Sequence, residues 1–310
     1  MNTFVRRTLA AVAMAAAIIS PVVVSPVLAQ DWRQQFPELN IGISSGENEA
    51  DAIARNQGYA AYLSKKLGVP VNVVRGTDYA AVVEAMRAGQ VQFASIGPAN
   101  YALAHKVMGD LITPVAVQRD KEGALGYYSV IAVRADSPYQ SIEDIKGKSF
   151  AFADPNSTSG YAVPSYYLST VLGTSADEYF GEVAFSGGHE QSVIALVNGT
   201  FEAVATHQTN DHSGNIPRMT EKGMIPAGST RIIWTSPLIP NSPVVMRTDL
   251  PEELKKAFTD AIFAFPAEDP KAFEELTSGN SKGYAPATHQ DYLDVIAITE
   301  YNAEQRRKNG

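Results

Sequence analysis

Three adjacent hydroxyl side chains, Ser157, Thr158 and Ser159, stand in the stretch DPNSTSGYAVP at residues 154–164. An apolar strand-like run, 149–153, precedes them and an apolar helix-like run, 161–172, follows. The first N–H groups of a helix lack intrahelical partners and carry a partial positive charge. With Gly160 allowing close approach and hydroxyls adding donors, such a turn suits a small anion such as a phosphate-like group. A plain helix cap is the competing reading, because Ser, Thr and Asp are the usual cap residues. Three in a row exceed what a cap needs. A second strand-to-helix turn, Gly187-Gly188-His189-Glu190, repeats the arrangement and offers an imidazole as a further donor. Ser157 with His189 could also be read as a phosphoesterase pair. However, Ser157 does not stand in a Gly-x-Ser-x-Gly elbow, and there is no His-x-x-x-His and no aspartate-rich metal motif, so binding rather than catalysis is expected.

These turns need a framework to hold them. Strand-like runs at 39–43, 69–74 and 91–96 alternate with helical patterns at 49–67, 79–88 and 100–107, each closed by a glycine or a turn. That alternation predicts βαβ units and a parallel sheet covered on both faces, with ligands gathering at the carboxyl ends of its strands. Further strands are expected at 111–118, 127–133, 180–185, 201–206 and 230–235, a short capped helix at 141–147, and closing helices at 251–265 and 291–306. Two sheets of similar size imply two lobes: 30–128, then 129–234, with 235–310 returning to the first. The chain would cross between them near Tyr128 and Thr235.

The rest of the composition sets bounds. The 310 residues are 45% hydrophobic and 19% charged, an ordinary globular mixture. Arg6 and Arg7, an apolar run at 9–19 and the small-residue end Val27-Leu28-Ala29 form a secretory leader over 1–29, with cleavage after Ala29 and a periplasmic destination. The absence of cysteine excludes disulfides and a lipid-modified N-terminal cysteine. A formal charge of −8 argues against nucleic acid and anionic membrane surfaces as partners. Any anion held here is held by local donors.

DPNSTSGYAVPSYY at 154–167 closely resembles the periplasmic phosphonate-binding proteins of phosphonate ABC transporters and their phosphite- and phosphate-binding relatives. The likeness extends to VNVVRGTDYAAVVEAMRAGQV (71–91), LGYYSVIAVRADSP (125–138), GGHE (187–190) and WTSPLIP (234–240), in the same order. It implies a type II periplasmic-binding-protein fold, α/β in class, with two lobes joined by a two-strand hinge that close on the ligand. It implies no cofactor, a monomer, and an inner-membrane permease with its ATPase as partners. By the same resemblance, Ser157, Thr158, Ser159 and His189 would hold the phosphorus oxygens, and Tyr79 and Tyr127 match tyrosines of the binding site. Taken alone, a tyrosine such as Tyr79 after Asp78 at a helix start reads as half-buried packing.

The chain departs from the pattern in two loops. Members of the family that bind 2-aminoethylphosphonate resemble it there but carry carboxylates for the ligand ammonium, where this chain has Asn210 and Ser242. A buried ammonium without a charged partner costs several kcal/mol in order of magnitude, which disfavours an aminophosphonate unless Asp211 takes over the role. The expected ligand is therefore phosphite or an alkyl- or hydroxyalkylphosphonate, with the strip His207-Gln208-Thr209-Asn210-Asp211 available to a larger one. A sensor for a membrane kinase would use the same fold and pocket. His105, His212 and His289 show no partner pattern and are expected on a solvated surface.

Overall fold

Apolar residues alternate between two core faces along nearly every strand, and this sorts the chain into two covered sheets. The computed structural model describes residues 31–44 and 46–309; the leader expected over 1–29 lies outside them. The first part runs α1 (Trp32–Gln35), β1 (Leu39–Ile43), α2 (Glu49–Leu67), β2 (Val71–Arg75), α3 (Tyr79–Arg87), β3 (Phe93–Ser95), α4 (Pro98–Met108) and β4 (Ile112–Asp120). The chain then enters a second sheet through β5 (Gly126–Arg134), β6 (Ser149–Phe152), α5 (Val163–Thr170), α6 (Ala176–Tyr179), β7 (Glu182–Phe185), α7 (His189–Val197), β8 (Ala203–Asn210), β9 (Ser213–Gly214), α8 (Asn215–Glu221) and β10 (Thr230–Thr235). It returns through β11 (Ile239–Pro240), which pairs with β5, to β12 (Pro243–Arg247), α9 (Glu252–Glu268), α10 (Pro270–Thr277), β13 (Ser281–Pro286) and α11 (Leu293–Asn309).

The first sheet has the order β13-β4-β12-β3-β1-β2 and the second the path β10-β5-β8-β6-β7. In β12, Val244 and Met246 face one core while Val245 faces the other. In β8, Ala203 and Ala205 face away from Val204 in the same manner. That two-sided burial is what helix-covered sheets require. The α/β class read from the sequence holds, but the sheets are mixed. β1, β2 and β3 are parallel, as are β6, β7 and β8, while β4, β5, β10, β12 and β13 join antiparallel. The antiparallel members flank the passages between the sheets, where a strand enters beside a distant partner instead of following a crossover helix.

The last helix packs against α4 of the first part and also reaches the second: Asn302 Nδ2 donates to the Ala162 carbonyl at 2.8 Å, and Ser169 and Tyr301 share a hydroxyl bond of 2.9 Å. His105 and His289 are not separate surface groups. Their ring centroids are 4.3 Å apart, and Tyr101 Oη lies 2.7 Å from His289 Nδ1. Among the described residues no helix is long and apolar enough to cross a membrane.

Candidate ligand-binding cleft

Residues just past the carboxyl ends of β1, β3, β6 and β7 meet around one cleft of about 360 Å³. After β6 the chain turns on Asp154, whose Oδ1 accepts the Asn156 N–H at 2.7 Å. A wide helical turn follows, closed by the Ala162 N–H donating to the Ser157 carbonyl, five residues back, at 2.9 Å. Such turns open a helix locally and recur at functional sites. Ser157 does cap this turn, its Oγ accepting the Gly160 N–H at 3.0 Å. Its neighbours do other work. Thr158 Oγ1 accepts the Ala99 N–H at 2.8 Å, tying the second-sheet turn to the start of α4 in the first half. The Ser159 carbonyl accepts from Ser129 Oγ at 2.6 Å. All three residues are buried.

His189 opens α7 with Nε2 3.3 Å from Ser157 Oγ and Nδ1 3.2 Å from Thr206 Oγ1. Asn215 Nδ2 donates to the His189 carbonyl at 2.9 Å and fixes the same corner. Burial, with Arg218 adding to it, lowers the His189 pKa to about 4, so the ring is neutral at pH 7. His207 packs edge-on at 4.7 Å and is pushed the same way by burial and by His189. Tyr79 begins α3, and its ring reaches Ser157; burial, then Asp154, raises its pKa. Tyr127, half-buried on β5, bonds the hydroxyls of Thr158 and Ser159, and burial pushes it up to about 12. The cluster is thus a set of neutral O–H and N–H groups that stay protonated at pH 7, the donor character an oxyanion uses.

The opposite wall approaches closely. A Cβ placed on Gly46 would lie 2.5 Å from His189 Cδ2 and 3.0 Å from Tyr79 Oη, so only glycine fits at this contact. Beside it Glu47, 1% exposed, is held between Arg55 of its own half and Arg218 of the other. Arg218 Nη2 also lies 3.5 Å from Glu190 Oε1, and Glu190 Oε2 accepts the Asn48 N–H at 2.8 Å. Lys222 reaches Asp51 at 2.6 Å. These pairs join the two halves beside the cleft.

Of the residues expected from sequence, Tyr79, Tyr127, Ser157, Thr158, Ser159, His189 and Ser242 line the cleft. Asn210 and Asp211 do not, which corrects that expectation. Side chains alternate along β8, and His207 and Thr209 are the ones that face the cleft. Asn210 instead accepts the His212 N–H at 3.0 Å, and Asp211 is exposed at the hairpin between β8 and β9.

The family model for the periplasmic substrate-binding protein of the phosphonate ABC transporter matches residues 41–292. The chain belongs to this family. It is 31% identical over 86% of its length, and 76% of the relative's, to the phosphonates-binding periplasmic protein of Escherichia coli. It is 32% identical, over 88% of both chains, to the phosphate-import protein PhnD of Mycolicibacterium smegmatis. Among solved structures, a binding protein component of an ABC phosphonate transporter from Pseudomonas aeruginosa superposes with a TM-score of 0.78 at 25% identity, covering 88% of this chain and 89% of that one.

In this phosphonate-family member, sequence reasoning missed Gly46, Glu47, Arg55, Arg218, Tyr59 and Asp120, all of which line the cleft. Glu47 and Arg218 lie 171 positions apart, and nothing local links them. For Gly46 the turn Ser44-Ser45-Gly46 at the end of β1 was a signal: like the turn at 157–160, it follows a parallel strand.

Proposed function

We propose that this protein is the periplasmic substrate-binding component of an ABC importer and captures a small phosphorus oxyanion lacking an ammonium group: phosphite, or an alkyl- or hydroxyalkylphosphonate. It acts as a monomer and delivers the ligand to a membrane permease driven by an ATPase. One observation carries the reading: Ser157, Thr158, Ser159, Tyr79 and His189, all buried, and half-buried Tyr127 converge as neutral donors at one end of a cleft between two halves. Family membership supports the phosphorus oxyanion. It does not select the ligand, since relatives of near-equal identity are named for phosphonates and for phosphate.

The Ser157–His189 contact resembles a nucleophile–base pair, yet its chemistry favours binding. The third group behind the imidazole is the Thr206 hydroxyl rather than a carboxylate, and a ring with a pKa of about 4 is a weak base at pH 7. The case against an aminophosphonate rests on the carboxylates at the cleft wall. Both oxygens of Glu47 are taken by Arg55 and Arg218, which leaves Asp120, its Oδ1 accepting the Ala124 N–H at 2.7 Å, as the carboxylate the titration must address. Isothermal titration with phosphite, phosphate, methylphosphonate and 2-aminoethylphosphonate tests the proposal. Phosphite or methylphosphonate should bind at least about tenfold tighter than the aminophosphonate, which is ~1.4 kcal/mol. The reverse order, abolished by Asp120→Asn, would make Asp120 the ammonium partner and overturn the ligand assignment.

A further inference from the structure

The cleft is larger than its phosphorus-binding end requires. Its volume of about 360 Å³ has room for on the order of ten groups the size of a water molecule, at about 30 Å³ each. Methylphosphonate would leave much of that unfilled. The other end is built in the first half of the protein by Arg55 and Tyr59, one helical turn apart on α2, with Gln118 of β4 and Tyr284 of β13. Arg55 Nη1 donates to the Leu276 carbonyl at 3.1 Å and Nη2 pairs with Glu47. Its Nε is buried with no acceptor. Tyr59 is 3% exposed, and its hydroxyl also has no partner. Tyr284, beside it, is engaged with Gln118.

Each such orphan destabilises the fold, and folded proteins carry few of them. Two on one face of one helix, both lining the same cleft, point to an oxygen that arrives with the ligand. Its charge follows from the surroundings. Glu47 is already paired with Arg55, so Arg55 Nε offers the ligand a hydrogen bond rather than an uncompensated charge.

We propose that Tyr59 Oη and Arg55 Nε form a second subsite that reads an uncharged oxygen, a hydroxyl or carbonyl, on the organic part of the ligand. This rests on the reading of the opposite end as the phosphorus-oxyanion site. The subsite would make the protein selective for oxygenated phosphonates over plain alkyl ones, because a site with buried donors rejects an analogue that leaves them unpaired.

The test titrates wild-type protein with methylphosphonate and with pairs of ω-hydroxyalkyl- and n-alkylphosphonates of matched chain length, then repeats the pairs on Tyr59→Phe. In wild type the hydroxylated member of at least one pair should bind about tenfold or more tightly than its alkyl partner. Tyr59→Phe should shrink that preference to about twofold or less. Equal affinities within every pair in wild type overturn the subsite without reference to any variant, and so does a preference that survives in folded Tyr59→Phe. If neither phosphite, methylphosphonate nor any other phosphonate binds wild type, the phosphorus reading itself fails. Binding of methylphosphonate with no hydroxyl preference leaves that reading standing and removes only the subsite.

Discussion

His189 is buried between Ser157 and Thr206, and that position makes its protonation a folding term. Its pKa is about 4 in the fold and about 6.5 in an unfolded chain. Between those values the unfolded state takes up a proton that the native state refuses. Stability therefore declines as pH falls from about 6.5 to about 4 and the loss levels off below, on the order of 3 kcal/mol in all. Urea unfolding of unliganded protein across this window should show the decline, and His189→Gln should make it shallower while buried His207 keeps its own share; an identical slope in both proteins would refute the assignment. At neutral pH, Ser157→Ala removes a hydroxyl from the anion end and the cap for the Gly160 N–H. Phosphonate affinity should fall about tenfold to a hundredfold by titration, and stability should drop by about 0.5–2 kcal/mol. At this scale Ser157, Thr158 and Ser159 were legible because they are contiguous and stand at a strand-to-helix turn. Asn210 and Asp211 were misjudged because a pleated strand sends neighbouring side chains to opposite faces, and only the pairing of β8 with β5 sets which face meets the cleft.

Two elements govern how the halves meet. The turn after β1 carries Gly46 against His189 and Glu47 against Arg218. Gly46→Ala would place a methyl group where there is no space, forcing the walls apart; phosphonate affinity should fall at least about tenfold, while the far-UV circular dichroism of the unliganded protein stays as in wild type. Glu47→Gln leaves Arg55 without its carboxylate and Arg218 with Glu190 alone. Removing one partner of a fully buried pair costs about 3–5 kcal/mol, but the Arg55 and Arg218 side chains keep 31% and 18% of their exposure. A loss nearer about 1–3 kcal/mol is expected. Small-angle scattering should then show a more extended unliganded protein than wild type. A Glu47→Gln protein as compact as wild type and equally stable would mean that the ion pairs do not hold the halves together. The elements themselves were largely readable, since α2 has an Asn48 cap and a Gly68 stop and the strands carry apolar runs. Their direction within the sheets was not, because antiparallel placement of β4, β12 and β13 depends on strands far apart in sequence.

For the molecule as a whole, a ligand that contacts both halves stabilises the closed arrangement and with it the fold. At a hundredfold excess over Kd the gain is about 2.7 kcal/mol, and a chain of this size should melt several degrees higher. Differential scanning fluorimetry against phosphite, methylphosphonate and hydroxyalkylphosphonates should reveal the ligand by the largest shift, and His189→Ala should remove that shift. From sequence alone the family and the α/β class were determined and the turns that meet at the cleft were located, because each is written in contiguous residues whose local physics needs no distant partner: a strand, a glycine, hydroxyls, a helix start. What only the tertiary structure decided is the far wall. Arg55 and Tyr59 meet Gln118 and Tyr284 only once α2 packs over the first sheet, Glu47 meets Arg218 only once the two halves come together, and no local propensity encodes a buried donor left waiting for an acceptor.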